Sequence, residues 1–257
     1  MKFNFEQKGF IIIRNALDSK NISHIKKIIN KSTNSSYEKF LKQLKKNKKN
    51  LYDYVLPFHN EILFFGLYEK ILKQKKVFKV LKELLGSDLA HHEDPSIAVN
   101  ISDLDSSKKN YLFKKWHQEL WSGSSTSTLA FWTPIFLPKN KSGQIEVIKG
   151  SHTWGHIPHN NREPINLPNE YEVQSINLNE GDVILFHSLL LHRSKPIVSK
   201  RFDARLALIT HIRNFKHINN SFDLNKSWRI FNMSELTKVE KKLGNHYLSP
   251  YRITTTD

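Results

Sequence analysis

The first third of the chain is patterned for helices and the remainder for strands. After Gly9, residues 10–14 form a short apolar, β-branched run that predicts a strand. Asp18 or Ser19 then offers an N-cap. Ile22, Ile25, Ile28 and Ile29 recur at helical spacing, with Lys20, Lys26 and Lys27 on the other side. Residues 61–85 predict two more helices. Ile62, Phe65, Tyr68, Ile71 and Leu72 mark the first, and Val77, Val80, Leu81, Leu84 and Leu85 the second, with Gly86 as its stop. Beyond Gly86 the helical period fades.

Short strands are predicted over residues 97–101, 115–120, 126–135, 144–148, 173–177, 183–186 and 206–212. Gly143, Gly150, Pro158, Pro164, Pro168, Gly181 and Pro196 punctuate them. Many short strands at this spacing suggest a sandwich or barrel, so the expected class is mainly β with flanking helices. We expect one domain over residues 1–257. It divides into a helical, Lys-rich part (15–86), a β core (about 88–212) and a C-terminal extension (213–257). In that extension Trp228 and Phe231 should pack on the body, and residues 234–243 look helical.

Composition adds exclusions. At 257 residues and 39% hydrophobic, the chain can build a sizeable core. It has no cysteine, which rules out disulfides, zinc–thiolate sites and Cys nucleophiles and fits a reducing compartment. No targeting pattern or apolar run of membrane-spanning length is visible, so a cytoplasmic protein with no membrane span is expected. The formal charge of +16 has two readings: attraction to an anionic partner, or a composition rich in Lys, Asn and Ile throughout. Residues 39–49 hold six lysines and no acid, as either a solvated insertion or a basic docking arm. Little aromatic interleaving and no recognisable nucleic-acid module argue against base readout.

The candidate chemistry lies between Trp116 and Arg205. His117 and Glu119 are two apart, and on a strand such residues share a face while Gln118 points away. A second imidazole comes from His187 or His192. Two histidines and one carboxylate are the donor set of a facial triad for non-haem Fe(II). The residues alone leave open a structural role for each, and spacing does not choose between His187 and His192. Arg205 is suited to a bidentate grip on a carboxylate, with a surface salt bridge as its plainer role. His91-His92-Glu93-Asp94 reads as a loop or rim. His152, His156 and His159 are separated by Gly155 and Pro158, which break any helix that would align them on a second metal. Residues 122–126 are not a nucleophile elbow, and no dinucleotide or P-loop pattern exists.

Taken together, the motifs resemble the phytanoyl-CoA dioxygenase family of Fe(II)/2-oxoglutarate oxygenases. Residues 5–17 are similar to the family's opening strand. Trp116-His117-Gln118-Glu119 stands where the family usually has W-H-Q-D. Phe131-Trp132-Thr133-Pro134 follows, and residues 143–152 resemble G-x-L-x-x-x-P-G-S-H with Lys149 in place of proline. Gly181-Asp182, Phe186-His187, His192-Arg193-Ser194 and Arg205 complete the likeness, which spans most of residues 5–212.

The resemblance implies a double-stranded β-helix, a jelly-roll relative of the cupins, with the N-terminal helices packed on it. It implies His117, Glu119 and His192 as iron ligands, preferring His192 because serine follows two residues later. It assigns Arg205, Ser194 and Trp132 to 2-oxoglutarate. The implied activity uses Fe(II), 2-oxoglutarate and O2 to hydroxylate a small organic substrate, with release of succinate and CO2. The basic chain tilts the expected substrate towards an anion. The alternative is a non-catalytic anion- or nucleic-acid-binding protein on the same fold. Two departures stand out: Glu119 replaces Asp, and the gap from His192 to Arg205 is about two residues long for the family, which makes Arg201 a competitor. The carboxylate argues against a halogenase, since related halogenases lack it.

Overall fold

The computed structural model describes residues 2–32, 36, 39, 51–92, 96–102, 115–122, 124–197, 199, 203–217 and 228–242. Helices α1 (Lys2–Lys8), α2 (Ser19–Ser32), α3 (Leu51–Phe64), α4 (Leu67–Leu72) and α5 (Lys75–Leu85) lie in the first third, interrupted by strand β1 (Phe10–Ile13). Then come β2 (Leu89–His92), β3 (Ser96–Ile101), β4 (Thr128–Phe136), β5 (Ile145–Ile148), β6 (His159–Asn160), β7 (Glu163–Pro164) and β8 (Val173–Ile176). The chain continues with β9 (Val183–His187), β10 (His192–Ser194), β11 (Ala204–Asn214), β12 (Trp228–Asn232) and helix α6 (Glu235–Lys242). Most of the Lys-rich stretch 39–49, and Arg201, fall outside the described residues. Among the described residues no helix is long and apolar enough to cross a membrane.

A seven-stranded sheet, ordered β1-β9-β4-β11-β2-β12 with β3 also on β11, faces a three-stranded sheet ordered β10-β5-β8. All pairings are antiparallel, as in a jelly-roll core. Strand β11 is the spine. It pairs with β4 along one edge, and along the other with β3 and then β2.

Side-chain alternation splits the large sheet into two faces. On one face Leu206, Leu208 and Ile212 join Leu129, Phe131, Val183 and Leu185 against Ile25, Ile29, Ile62, Ile71, Val77 and Leu81 of the helices. Each fully buried Leu or Ile there contributes roughly 1.5–3 kcal/mol relative to exposure. On the other face Phe10, Ala130, Trp132, Ile184, Phe186 and Ala207 meet Ile145, Val147 and Ile176 of the small sheet. Arg205 has the parity of Ala207, so it points into the space between the sheets.

The helix from Asp18 forms as expected: the Asp18 Oδ1 accepts the backbone N–H of Asn21 at 2.7 Å. Residues 61–85, expected as two helices, contain a break that the apolar period hides. Gly66 takes a left-handed conformation (φ 57°) and ends one helix before the next begins, while the 3.6 pattern runs on through Phe65 and Tyr68. The expected strand at 115–120 is corrected as well. His117 makes a single bridge to His192, and Glu119–Ser122 is a 3-10 turn. Strands β2, β6, β7, β10 and β12 are absent from the expected set, because each is short and carries polar residues.

The Gly181-Asp182 corner ties β1 to β9. Asp182 accepts from the backbone N–H of Asn15 (2.8 Å) and Asn179 (2.9 Å) and from Arg14 Nη1 (2.7 Å). Burial alone would raise its pKa, but these donors outweigh it and hold the carboxyl below its usual range. Asp182→Ala should therefore cost about 2–3 kcal/mol in urea denaturation, since it strands two backbone donors; a loss under ~0.5 kcal/mol would contradict this role.

His187 ends β9 with the parity of Val183 and Leu185. Its Nδ1 accepts the N–H of Leu189 at 3.1 Å, and its ring lies 5.4 Å from that of His152. Burial, with help from His152, lowers its pKa to about 4. An unfolded histidine titrates near 6.5, so between about 6.5 and 4 the unfolded chain holds more protons. The His187 contribution to stability should be complete above about pH 6.5 and decline as pH falls towards 4. His187→Gln should flatten that limb of a stability–pH curve, and an unchanged slope would count against it.

Candidate metal centre

One backbone exchange builds the centre. The His117 N–H donates to the His192 carbonyl at 3.0 Å, and the His192 N–H donates to the His117 carbonyl at 3.1 Å. The two residues sit directly opposite each other, with ring centroids 4.0 Å apart. Each ring is then fixed by a carbonyl two residues upstream: His117 Nδ1 lies 2.7 Å from Lys115 O, and His192 Nδ1 lies 3.0 Å from Leu190 O. A carbonyl only accepts, so Nδ1 of each ring carries a proton, and Nε2 is the nitrogen left to face Glu119 and a metal. Phe186 packs on the His192 ring at 4.5 Å and covers that side.

Glu119 enters from the 3-10 turn. Its Oε1 is 3.4 Å from His117 Nε2 and 3.1 Å from His192 Nε2. All three side chains are buried. Gln118 points away and is bound at both ends of its amide: Nε2 donates to Gly155 O (2.9 Å) and Leu189 O (2.7 Å), and Oε1 accepts the Ile157 N–H (3.0 Å). These bonds pin the His117–Glu119 segment to two loops. The turn keeps His117 and Glu119 on one side although the segment is not a strand.

The donor chemistry fits a metal. Two imidazole nitrogens and a carboxylate oxygen lie within 4.8 Å of one another in a buried site. With Nδ1–H committed on both rings, the two Nε2 atoms and Glu119 Oε1 face a common point, where a cation would replace the proton that joins His192 Nε2 to Oε1 at 3.1 Å. Among the described residues this is the group that could hold a metal; His152, His156 and His159 do not form one. His187 is on the opposite face of β9 from Phe186 and does not join it.

Arg205 is fully buried. Its Nε donates to Gly143 O (2.9 Å), Nη1 to Ala98 O (3.1 Å) and Nη2 to Ser194 Oγ (3.0 Å). The guanidinium carbon lies 5.2 Å from the Trp132 ring centroid. The structure thus brings Arg205, Ser194 and Trp132 together, with Ser194 two residues beyond His192 on β10. Gly143, whose carbonyl accepts the Arg205 Nε–H, is itself tightly placed. It has φ +75°, and a Cβ there would collide with Ile197.

Sequence reasoning missed His211. Its Nε2 lies 3.1 Å from Glu119 Oε2. The available signal was parity, because His211 is six residues beyond Arg205 on one strand and so shares its face. His91 and His92, expected in a loop, lie on β2. His91 Nε2 faces Glu69 Oε1 at 3.2 Å, whereas the His92 ring packs edge-on against His211 at 6.3 Å. Glu93 and Asp94 fall outside the described residues.

Known structures share the fold. A non-heme monooxygenase, ThoJ, superposes with TM-score 0.65 at 16% identity, over 91% of this chain and 84% of that one. The non-heme alpha ketoglutarate dependent epimerase SnoN from nogalamycin biosynthesis superposes with TM-score 0.53 at 13% identity, over 83% of this chain and 81% of that one. No curated protein matches by sequence. The sequence profile of Phytanoyl-CoA dioxygenase (PhyH) matches residues 5–206, most of the chain, and it includes the bridge-forming histidines, Glu119 and Arg205. The chain belongs to the phytanoyl-CoA dioxygenase family of non-haem iron, 2-oxoglutarate-dependent oxygenases.

Proposed function

We propose that the protein is an Fe(II)- and 2-oxoglutarate-dependent dioxygenase that hydroxylates a small organic substrate. His117, Glu119 and His192 are its metal ligands. The observation that carries this is the convergence of two Nδ1-locked imidazoles and one carboxylate oxygen within 4.8 Å in a buried site. When bound, iron supplies O2 activation coupled to oxidative decarboxylation of 2-oxoglutarate to succinate and CO2.

The chain's own residues do the holding and orienting. Three protein donors on one side leave the other coordination positions for co-substrate and oxygen. Arg205 receives the distal carboxylate of 2-oxoglutarate. Its guanidinium is already aimed by two carbonyls, the Ser194 hydroxyl and the face of Trp132, so little ordering is needed on binding. Burial strengthens that charge pairing, because little water competes. Phe186, Ile184 and Ala207 line the same space with apolar surface and exclude water from it. The net charge of +16 favours an anionic substrate through steering.

Anaerobic titration with Fe(II) or Co(II) should show one site per chain, weakened at least 100-fold in His117→Ala and in His192→Ala but retained in His187→Ala (~2.7 kcal/mol or more). With Fe(II) and air, succinate should form from 2-oxoglutarate without added substrate and rise when the substrate is supplied. Product mass then separates hydroxylation, which adds one oxygen, from epimerisation, which adds none. A protein that takes up neither metal nor 2-oxoglutarate would sink the proposal. Arg205→Lys keeps the charge but loses the planar fork, and should raise KM for 2-oxoglutarate about tenfold with a smaller change in kcat.

A further inference from the structure

The two oxygens of Glu119 face different partners. Oε1 is turned to His117 and His192, at 3.4 and 3.1 Å. Oε2 is turned to His211 Nε2, at 3.1 Å. A carboxylate oxygen accepts, so Nε2–H of His211 is the donor. We propose that His211 is the positioning residue of the metal centre: it holds Oε2 aside so that Glu119 presents Oε1 alone. This rests on the metal-centre reading above.

The placement of His211 is built, not incidental. It projects from β11 opposite Ala130 of β4, on the face that also carries Arg205. Its ring meets His92 of β2 nearly perpendicularly (86°, 6.3 Å between centroids), and His92 meets Trp228 of β12 in the same way (83°, 5.7 Å). Three neighbouring strands thus supply one run of edge-to-face rings that fixes the His211 orientation.

The chemistry explains what the bond does. A free carboxylate beside a metal can bind through one or both oxygens. A second coordinating oxygen would occupy a position that 2-oxoglutarate or O2 needs. A hydrogen bond to Oε2 lowers its availability as a ligand and fixes the rotation of the carboxylate plane. The length of glutamate suits this task. Leaving from a turn beside His117, its extra methylene lets one carboxylate lie between the His117–His192 pair and a residue on β11. An aspartate at position 119 would have less reach to do both.

The test uses the full-length protein and Co(II), whose visible absorption reports ligand number as well as affinity. His211→Phe keeps a ring for His92 and removes the donor. His211→Gln keeps a donor and removes the ring. Affinity and spectrum should follow the donor: His211→Phe weakens Co(II) binding about 10–100-fold and changes the visible bands, while His211→Gln stays within about threefold of wild type. Should His211→Phe fail to fold, His211→Ala takes its place with the same expectation. Equal losses in the Phe and Gln variants would overturn the proposal, because a packing role would then explain both. So would wild-type affinity with an unaltered spectrum in the donor-less variant. Wild-type protein that binds no Co(II) would overturn the metal-centre reading itself, which the other outcomes leave standing.

Discussion

The reciprocal backbone bridge between His117 and His192 is the interaction on which the centre depends. It joins two segments far apart in sequence at a single residue pair, and among the described residues no ladder extends it to support the segment around His117. Such an isolated pair would fray if left to itself. What keeps it closed is the neighbouring Gln118, whose amide satisfies three backbone groups in the 155–157 and 189 loops. Two of these bonds, to Leu189 and Ile157, are buried, so each of those groups left unsatisfied would carry a desolvation penalty of about 1–3 kcal/mol. The residue that points away from the candidate metal therefore fixes the residues that point towards it.

The second constraint is β11. One face of this strand is apolar and anchors the helical layer through Leu206, Leu208 and Ile212. The other face carries Arg205, Ala207 and His211 towards the small sheet and the centre. A single strand thus sets the distance between the guanidinium and the histidine that meets Glu119. Among the described residues the helices contribute no side chain to the candidate centre. Their role is to bury the back of the large sheet so that its charged front can be held still.

How much of this the sequence reveals depends on how each element is stabilised. Apolar runs such as 183–186 and 206–212 are legible because their pattern comes from burial itself. Helices from Asp18 and up to Gly86 are legible because their caps are chemical. The segment around His117 is misread as a strand because its form comes from side-chain bonds of Gln118 to distant loops, which leave no periodic trace. For the same reason spacing alone leaves His187 and His192 equivalent, and only the fold shows Phe186 and His187 on opposite faces of β9. The strands at residues 89–92 and 228–232 are hidden because each is short and mixes polar with apolar residues, and the His92 ring that lies between those of His211 and Trp228 leaves no periodic trace. The left-handed Gly66 is hidden within a helical period that does not change across it.

The departure at Glu119 is best understood together with the missed histidine. Considered by itself, a glutamate for an aspartate changes only reach, by about one methylene. In this structure the extra reach has a destination, because Oε2 ends 3.1 Å from His211 while Oε1 still lies within 3.4 Å of both bridge histidines, His117 and His192. The carboxylate is therefore anchored on both of its oxygens, and a longer, more flexible side chain gains back the order that its added torsion would lose. A family motif read residue by residue registers the substitution as a deviation. Read with β11 in place, the same substitution and the unforeseen histidine form one hydrogen-bonded unit, and neither has an evident purpose at these positions without the other.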